Sequence, residues 1–210
     1  MKVSPLIVGE FGVNCFIVAG AREQAIVIDP GAEAPAILAA LDELGLSVAA
    51  YVLTHGHVDH VSAVAELYDA RPAPVAISAE DLRWAFGPAN QLPPFYGPPR
   101  QPGRVERMLQ DGETFTDAGL AYRIISTPGH TPGGVCLHFE KERAVFTGDT
   151  LFAGSVGRTD LPGGSSRLLS ASLRKLAALD DATAVYPGHG PTTNIAEEKR
   201  SNAFLRGGFV

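Results

Sequence analysis

Four short polar motifs limit what this chain can fold into, because each one directly follows an apolar run: THGHVDH at 54–60, TPGHTPGG at 127–134, GDT at 148–150 and YPGHG at 186–190. Five of the six histidines lie in them, and together they supply His55, His57, Asp59, His60, His130, Asp149 and His189. Seven such donors suffice for two metal ions. Imidazole nitrogen and carboxylate oxygen suit Zn²⁺, Fe or Mn, and no cysteine in these motifs offers the thiolates of a structural zinc site. The set therefore reads as catalytic.

Residues 50–53 are an apolar, partly β-branched strand, and 62–68 carry Val64, Ala65 and Leu67 at helical spacing. THGHVDH is then a strand-to-helix turn, in which Gly56 lets the backbone fold tightly enough for His55 and His57 to face one point. The runs at 121–126, 144–147 and 183–186 precede His130, Asp149 and His189 in the same way. Loops at strand ends are where a rigid α/β scaffold gathers functional groups. His138 lies in an alternating strand and reads as a core or surface histidine outside the site. GDT or PGHG alone would be ordinary turn chemistry; their order after HxHxDH makes them specific.

On these motifs, with Asn14-Cys15-Phe16, Ile28-Asp29-Pro30-Gly31, GRTDLPGG at 157–164 and HGPTTN at 189–194, the sequence resembles the metallo-beta-lactamase fold superfamily. Within it, the chain is similar to the glyoxalase II (hydroxyacylglutathione hydrolase) group of thioester hydrolases. The resemblance implies an α+β, four-layer αβ/βα sandwich with the metals at one edge of the sheets. It implies one metal on His55, His57 and His130, a second on Asp59, His60 and His189, and Asp149 bridging them, with Asp59 and Asp149 as the catalytic carboxylates. Two divalent ions are implied, zinc first, with iron or manganese as alternatives. A hydroxide bridging two metals about 3.5–4 Å apart would attack a thioester carbonyl, and the thiolate, with a thiol pKa of about 8.5, leaves without a general acid.

The substrate expectation is a small thioester, S-lactoylglutathione or a related acyl-thiol. Arg158 matches a basic position that contacts glutathione in that group, and arginine suits carboxylates. Asp160 replaces the aromatic residue expected beside it, so a different thiol carrier stays open, as does a pairing of Arg158 with Asp160 or Asp149. A mononuclear iron persulfide dioxygenase using His55, His130 and Asp149 is the alternative function.

The remaining sequence sets the context. A length of 210 residues with 45% hydrophobic content suits one domain over 1–210. A net charge of -6 and no Lys/Arg cluster argue against a nucleic-acid partner. No membrane span or secretory start is evident, and Cys15 and Cys136 read as buried free thiols, so a cytoplasmic protein is expected. Strands are expected near 3–8, 13–19, 24–28, 49–53 and 74–77 in the first half, and near 105–108, 114–116, 120–126, 134–139, 144–147 and 183–186 in the second. Helices are expected near 35–44, with Ile37, Leu41 and Leu44 on one face and Gly45 as a stop, near 166–179, and from about 195, capped by Asn194. Residues 84–103, with six prolines and four aromatics, read as a structured loop that walls the cleft or covers the sheet edge.

Overall fold

The computed structural model describes residues 1–206. One six-stranded sheet contains, in spatial order, β1 (Lys2–Val8), β2 (Val13–Ala19), β3 (Gln24–Ile28), β4 (Ser47–Val52), β5 (Val75–Ile77) and β6 (Arg107–Met108). The chain then adds β7 (Thr114–Asp117), β8 (Leu120–Ser126), β9 (Val135–Phe139), β10 (Ala144–Gly148), a small hairpin β11 (Leu151–Phe152) and β12 (Ser155–Val156), β13 (Ala184–Pro187) and β14 (Thr193–Asn194). The second sheet has the order β14-β13-β10-β9-β8-β7.

Strand periodicity makes four layers of these sheets. Phe16, Val18, Ile26 and Ile28 pack with Tyr122, Ile124, Leu137, Phe139 and Phe146 in the core shared by the sheets. The alternate residues Cys15, Ile17, Ala25 and Val27 pack instead with Ile37 and Leu41 of α1 (Ala34–Glu43). On the far side, Cys136, Val145 and Val185 meet Leu169, Leu173 and Leu176 of α5 (Ser166–Ala177) and Ile195 of α6 (Ile195–Ser201). Both faces of the central strands are thus covered, which is why Cys15–Val18 and Ala25–Ile28 read as unbroken apolar runs. The architecture is the expected α+β sandwich. No helix among the described residues is long and apolar enough to cross a membrane.

Several local expectations are corrected. The helix expected after His60 is two pieces, α2 (Val58–Val61) and α3 (Val64–Ala70), so Asp59 and His60 are already helical. The strand expected at 105–108 joins the first sheet, because the proline-rich segment returns the chain alongside β5, where Glu106 N–H donates to Val75 O at 3.0 Å. Helix α4 (Ala79–Ala85) was not anticipated and removes Trp84 from the loop. Its signal lies in Ser78, whose hydroxyl accepts from the Asp81 N–H three residues on. Leu44 is 36% exposed rather than on the buried face, since α1 has already closed with Leu46 N–H on Leu41 O and Gly45 N–H on Asp42 O. Asn194 caps α6 as expected, accepting from Glu197 N–H at 2.9 Å.

Candidate metal centre

The four motif loops emerge at one edge of the stacked sheets and are tied together by their backbones. Thr54 O accepts from Val135 N–H (2.9 Å), Gly148 O from Gly188 N–H (2.8 Å), and Gly188 O from Asn14 N–H (2.8 Å). The Asn14 amide also donates to Pro187 O (2.9 Å) and Gly190 O (2.8 Å), clamping the loop that carries His189. The β10–β13 pairing shifts register between Phe146 and Gly148, and such an irregularity re-aims the next side chain, here Asp149. A Cβ on Gly188 would lie 2.3 Å from Asp149 Oδ1 and 2.8 Å from His60 Cε1, so this close approach requires glycine.

All seven expected donors converge. The donor atoms of His55, His57 and His130 lie within 4.8 Å of one another, and so do those of Asp59, His60 and His189. Asp149 stands between the two groups: Oδ1 is 3.4 Å from His60 Nε2, while Oδ2 is 3.4 Å from His130 Nε2 and 3.6 Å from His189 Nε2. Asp29 also lies near His55 and His60, but both its oxygens are engaged. Oδ1 accepts from Thr54 N–H at 2.7 Å, and Oδ2 from the Thr54 hydroxyl at 2.6 Å, with His60 Nδ1 at 3.1 Å.

The outer ring nitrogens show what the inner ones are for. His60 Nδ1 meets Asp29, His130 Nδ1 meets Arg158 O (2.8 Å), and His189 Nδ1 meets Phe11 O (3.1 Å). These partners only accept, so each Nδ1 carries a proton and each Nε2 faces inward as the atom left to bind a cation, as in metal-ligating histidines. Inward nitrogens then face each other at 2.9 Å (His57 Nδ1 and His130 Nε2) and 3.3 Å (His60 Nε2 and His189 Nε2). Lone pairs at that spacing repel unless a proton or cation lies between them. His55 Nε2 and Asp149 Oδ1 are buried with no hydrogen-bond partner, an arrangement that costs about 1–3 kcal/mol per group.

The electrostatics agree. Burial, reinforced by the neighbouring imidazoles, lowers His55 well below its ordinary value and takes His57 down to about 3, so both are neutral donors. Burial also opposes charge on His60, yet Asp149 and Asp59 outweigh it and push this ring up to about 10. The carboxylates therefore draw positive charge to this point. Inward lone pairs, unpartnered buried donors and a local excess of carboxylate together fit divalent cations.

Other expected residues fare differently. Gly56 serves close packing rather than a special turn, since a Cβ there would press on the Ala85 Cβ at 3.0 Å and the Trp84 ring at 3.1 Å. Arg158 turns its exposed guanidinium to Asp160, donating from Nε and Nη2 at 2.7 Å each; it does not pair with Asp149, and its carbonyl orients His130. His138 lies outside both donor groups, with Nδ1 buried and unpartnered. Cys15 and Cys136 are free and buried. Trp84 packs on His57 (5.4 Å between ring centroids), and the loop aromatics Phe95 and Tyr96 pack on Phe11 (5.5 and 5.7 Å).

Asp29, Asp81, Asn14 and Asn90 were given no role from sequence. Each holds a ligand loop through backbone atoms, which no spacing encodes. Asp29 and Asn14 left a trace, as members of the Ile28-Asp29-Pro30-Gly31 and Asn14-Cys15-Phe16 stretches of the family resemblance.

Comparison with known proteins places this geometry. The hydroxyacylglutathione hydrolase GloC of Haemophilus influenzae is 36% identical over 212 residues, covering 98% of each chain. The crystal structure of BLEG-1, described as a B3 metallo-beta-lactamase, superposes with a TM-score of 0.91 at 33% identity over 97% of this chain and 99% of that one. A protein crystallised in a di-iron-bound form, TTHA1623, superposes with a TM-score of 0.89 at 39% identity over 97% of this chain and 100% of that one. The family model described as metallo-beta-lactamase superfamily matches residues 8–189, which includes all seven donors, and the chain belongs to that superfamily.

Proposed function

We propose that this protein is a binuclear metallohydrolase of small thioesters. The observation that carries the reading is Asp149, whose two oxygens lie within 3.4–3.6 Å of histidines from both donor groups. His55, His57 and His130 would hold one cation, Asp59, His60 and His189 the other, and Asp149 both. The cations would supply an ionised water near neutral pH and polarise the substrate carbonyl. Asp59 stays ionised, because His60 and the hydrogen bond from His189 outweigh its desolvation and hold it well below the usual carboxylate range. As an acceptor it orients the attacking water. The departing thiol, with a pKa of about 8.5, needs no acid from the chain.

The thioester class rests on the GloC likeness across the whole chain. Arg158 stands at the rim, 61% exposed, and Asp160 engages only Nε and Nη2, leaving Nη1 to recruit a substrate carboxylate. Phe11, Leu92 and Phe95, 42–54% exposed, form an apolar wall for the acyl group beside His189. Two reduced, buried thiols support a cytoplasmic location.

Purified protein should contain two divalent ions per chain, zinc foremost, and release thiol from S-lactoylglutathione. One iron per chain with oxygen-dependent sulfite formation from a persulfide would replace this reading with the dioxygenase. Faster opening of a β-lactam ring than of any thioester would move it to the lactamases.

A further inference from the structure

The carboxylate of Asp81 lies outside both donor groups yet touches both loops that carry one of them. Its side chain is fully buried, 0% exposed. Oδ2 accepts from Gly56 N–H at 3.0 Å, inside the His55-Gly56-His57 turn, and from the Thr131 hydroxyl at 2.7 Å, next to His130. Oδ1 accepts from Gly133 N–H at 2.7 Å, in the same loop as His130. Trp84, on the same helix as Asp81, packs on the His57 ring. His55, His57 and His130 thus hang from two loops that belong to different sheets and are joined by one anion. Nothing comparable from Asp81 reaches Asp59, His60 or His189, whose loops are held by Asp29 and Asn14.

We infer that Asp81 is the positioning residue of the three-histidine site, setting the spacing of His55, His57 and His130 and so the affinity of that site for a divalent cation. The inference rests on the two-cation reading above. A carboxylate is needed because all its contacts are donors. An amide at this position turns an N–H₂ group toward at least one N–H or O–H donor, and the two loops separate at that point.

Glu198 supplies a matched control. It is also buried, 1% exposed, and also accepts three hydrogen bonds, from Gly154 N–H (2.9 Å), the Thr193 hydroxyl (2.8 Å) and the Asn202 amide (2.8 Å), away from the histidines. Asp81→Asn, Asp81→Glu, Glu198→Gln and the parent protein are stripped of metal and dialysed against graded free Co²⁺. Bound cobalt is counted and the fluorescence of Trp84, the single tryptophan, is followed. The parent binds two Co²⁺. Asp81→Asn weakens one of the two by about 10–100-fold, the range for loss of a partner that orients metal ligands, and loses the Trp84 response, while the other stays within about threefold. Asp81→Glu, which restores the charge, recovers part of the loss, and Glu198→Gln keeps both sites. Two unaltered sites in Asp81→Asn, or equal weakening in Glu198→Gln, overturns the role of Asp81 alone. A parent that binds fewer than two cobalt ions overturns the two-cation reading and this inference with it.

Discussion

Replacing Asp29 by asparagine tests how the second donor group is tuned, with little change of shape. The carboxylate accepts from Thr54 N–H, the Thr54 hydroxyl and His60 Nδ1 at 2.7, 2.6 and 3.1 Å, all within residues no more than 2% exposed. The asparagine carbonyl can keep Thr54 N–H. Its N–H₂ group then faces the Thr54 hydroxyl, which can turn to accept, and His60 Nδ1, which can accept only by moving its proton to Nε2. The hydroxyl proton then turns to His55 Nδ1, 3.1 Å away, so every group keeps a partner, and the cost is that of exchanging three charge-assisted bonds for neutral ones, about 2–3 kcal/mol in all. Urea denaturation of the metal-stripped protein measures it. The larger consequence is that the neutral His60 ring, once its extra proton is displaced, keeps its one proton on Nε2, 3.3 Å from His189 Nε2, where the parent's neutral ring offers a lone pair. The cation on Asp59, His60 and His189 should bind about 10–100-fold more weakly, equivalent to about 1.4–2.7 kcal/mol, and part of the effect should reach the three-histidine site, because the Thr54 hydroxyl lies 3.1 Å from His55 Nδ1. Cobalt dialysis reads this out. A folded Asp29→Asn protein that binds both cations as tightly as the parent would refute the tautomer argument.

Three further outcomes are expected. In metal-stripped protein His60 holds its proton more tightly folded, near 10, than unfolded, near 6.5, so its stabilisation is complete below about pH 6.5 and is lost as the pH rises through about 10; urea midpoints at about pH 6 and pH 10 check the sign, and cation affinity should rise over the same window as protons are displaced. Arg158→Ala should raise KM for a carboxylate-bearing thioester and leave kcat intact, because only its backbone carbonyl touches His130; steady-state kinetics with and without the substrate carboxylate decide it. Phe95→Ala, at a residue 54% exposed but paired with Phe11, should lower stability by about 0.5–1.5 kcal/mol and raise KM most for thioesters with apolar acyl groups. Deleting 88–102 is a poorer probe of the wall, since it removes Asn90, whose amide donates to Gly56 O at 2.8 Å inside the ligand turn.

The donors and the layers were legible in the chain because each has a local signature. HxHxDH, GDT and PGHG are short and ordered, and runs such as Ala25–Ile28, apolar at every position, announce strands covered on both faces. What holds the donors was not legible. Asp81 reaches Gly56 across 25 residues and Gly133 across 52, and Asn14 reaches Pro187 across 173, each through backbone atoms that any residue type presents. The assignment of residues 107–108 to the first sheet likewise depended on which segments the two sheets bring side by side, whereas the pairing of Arg158 with Asp160, two residues on, is local and was one of the two the sequence left open. Sequence alone determined the donor chemistry and the two-faced strands, because side-chain type and strand period are local properties. Only the stacking of the sheets decided which nitrogens face inward, because ring orientation is set by acceptors that lie far away along the chain.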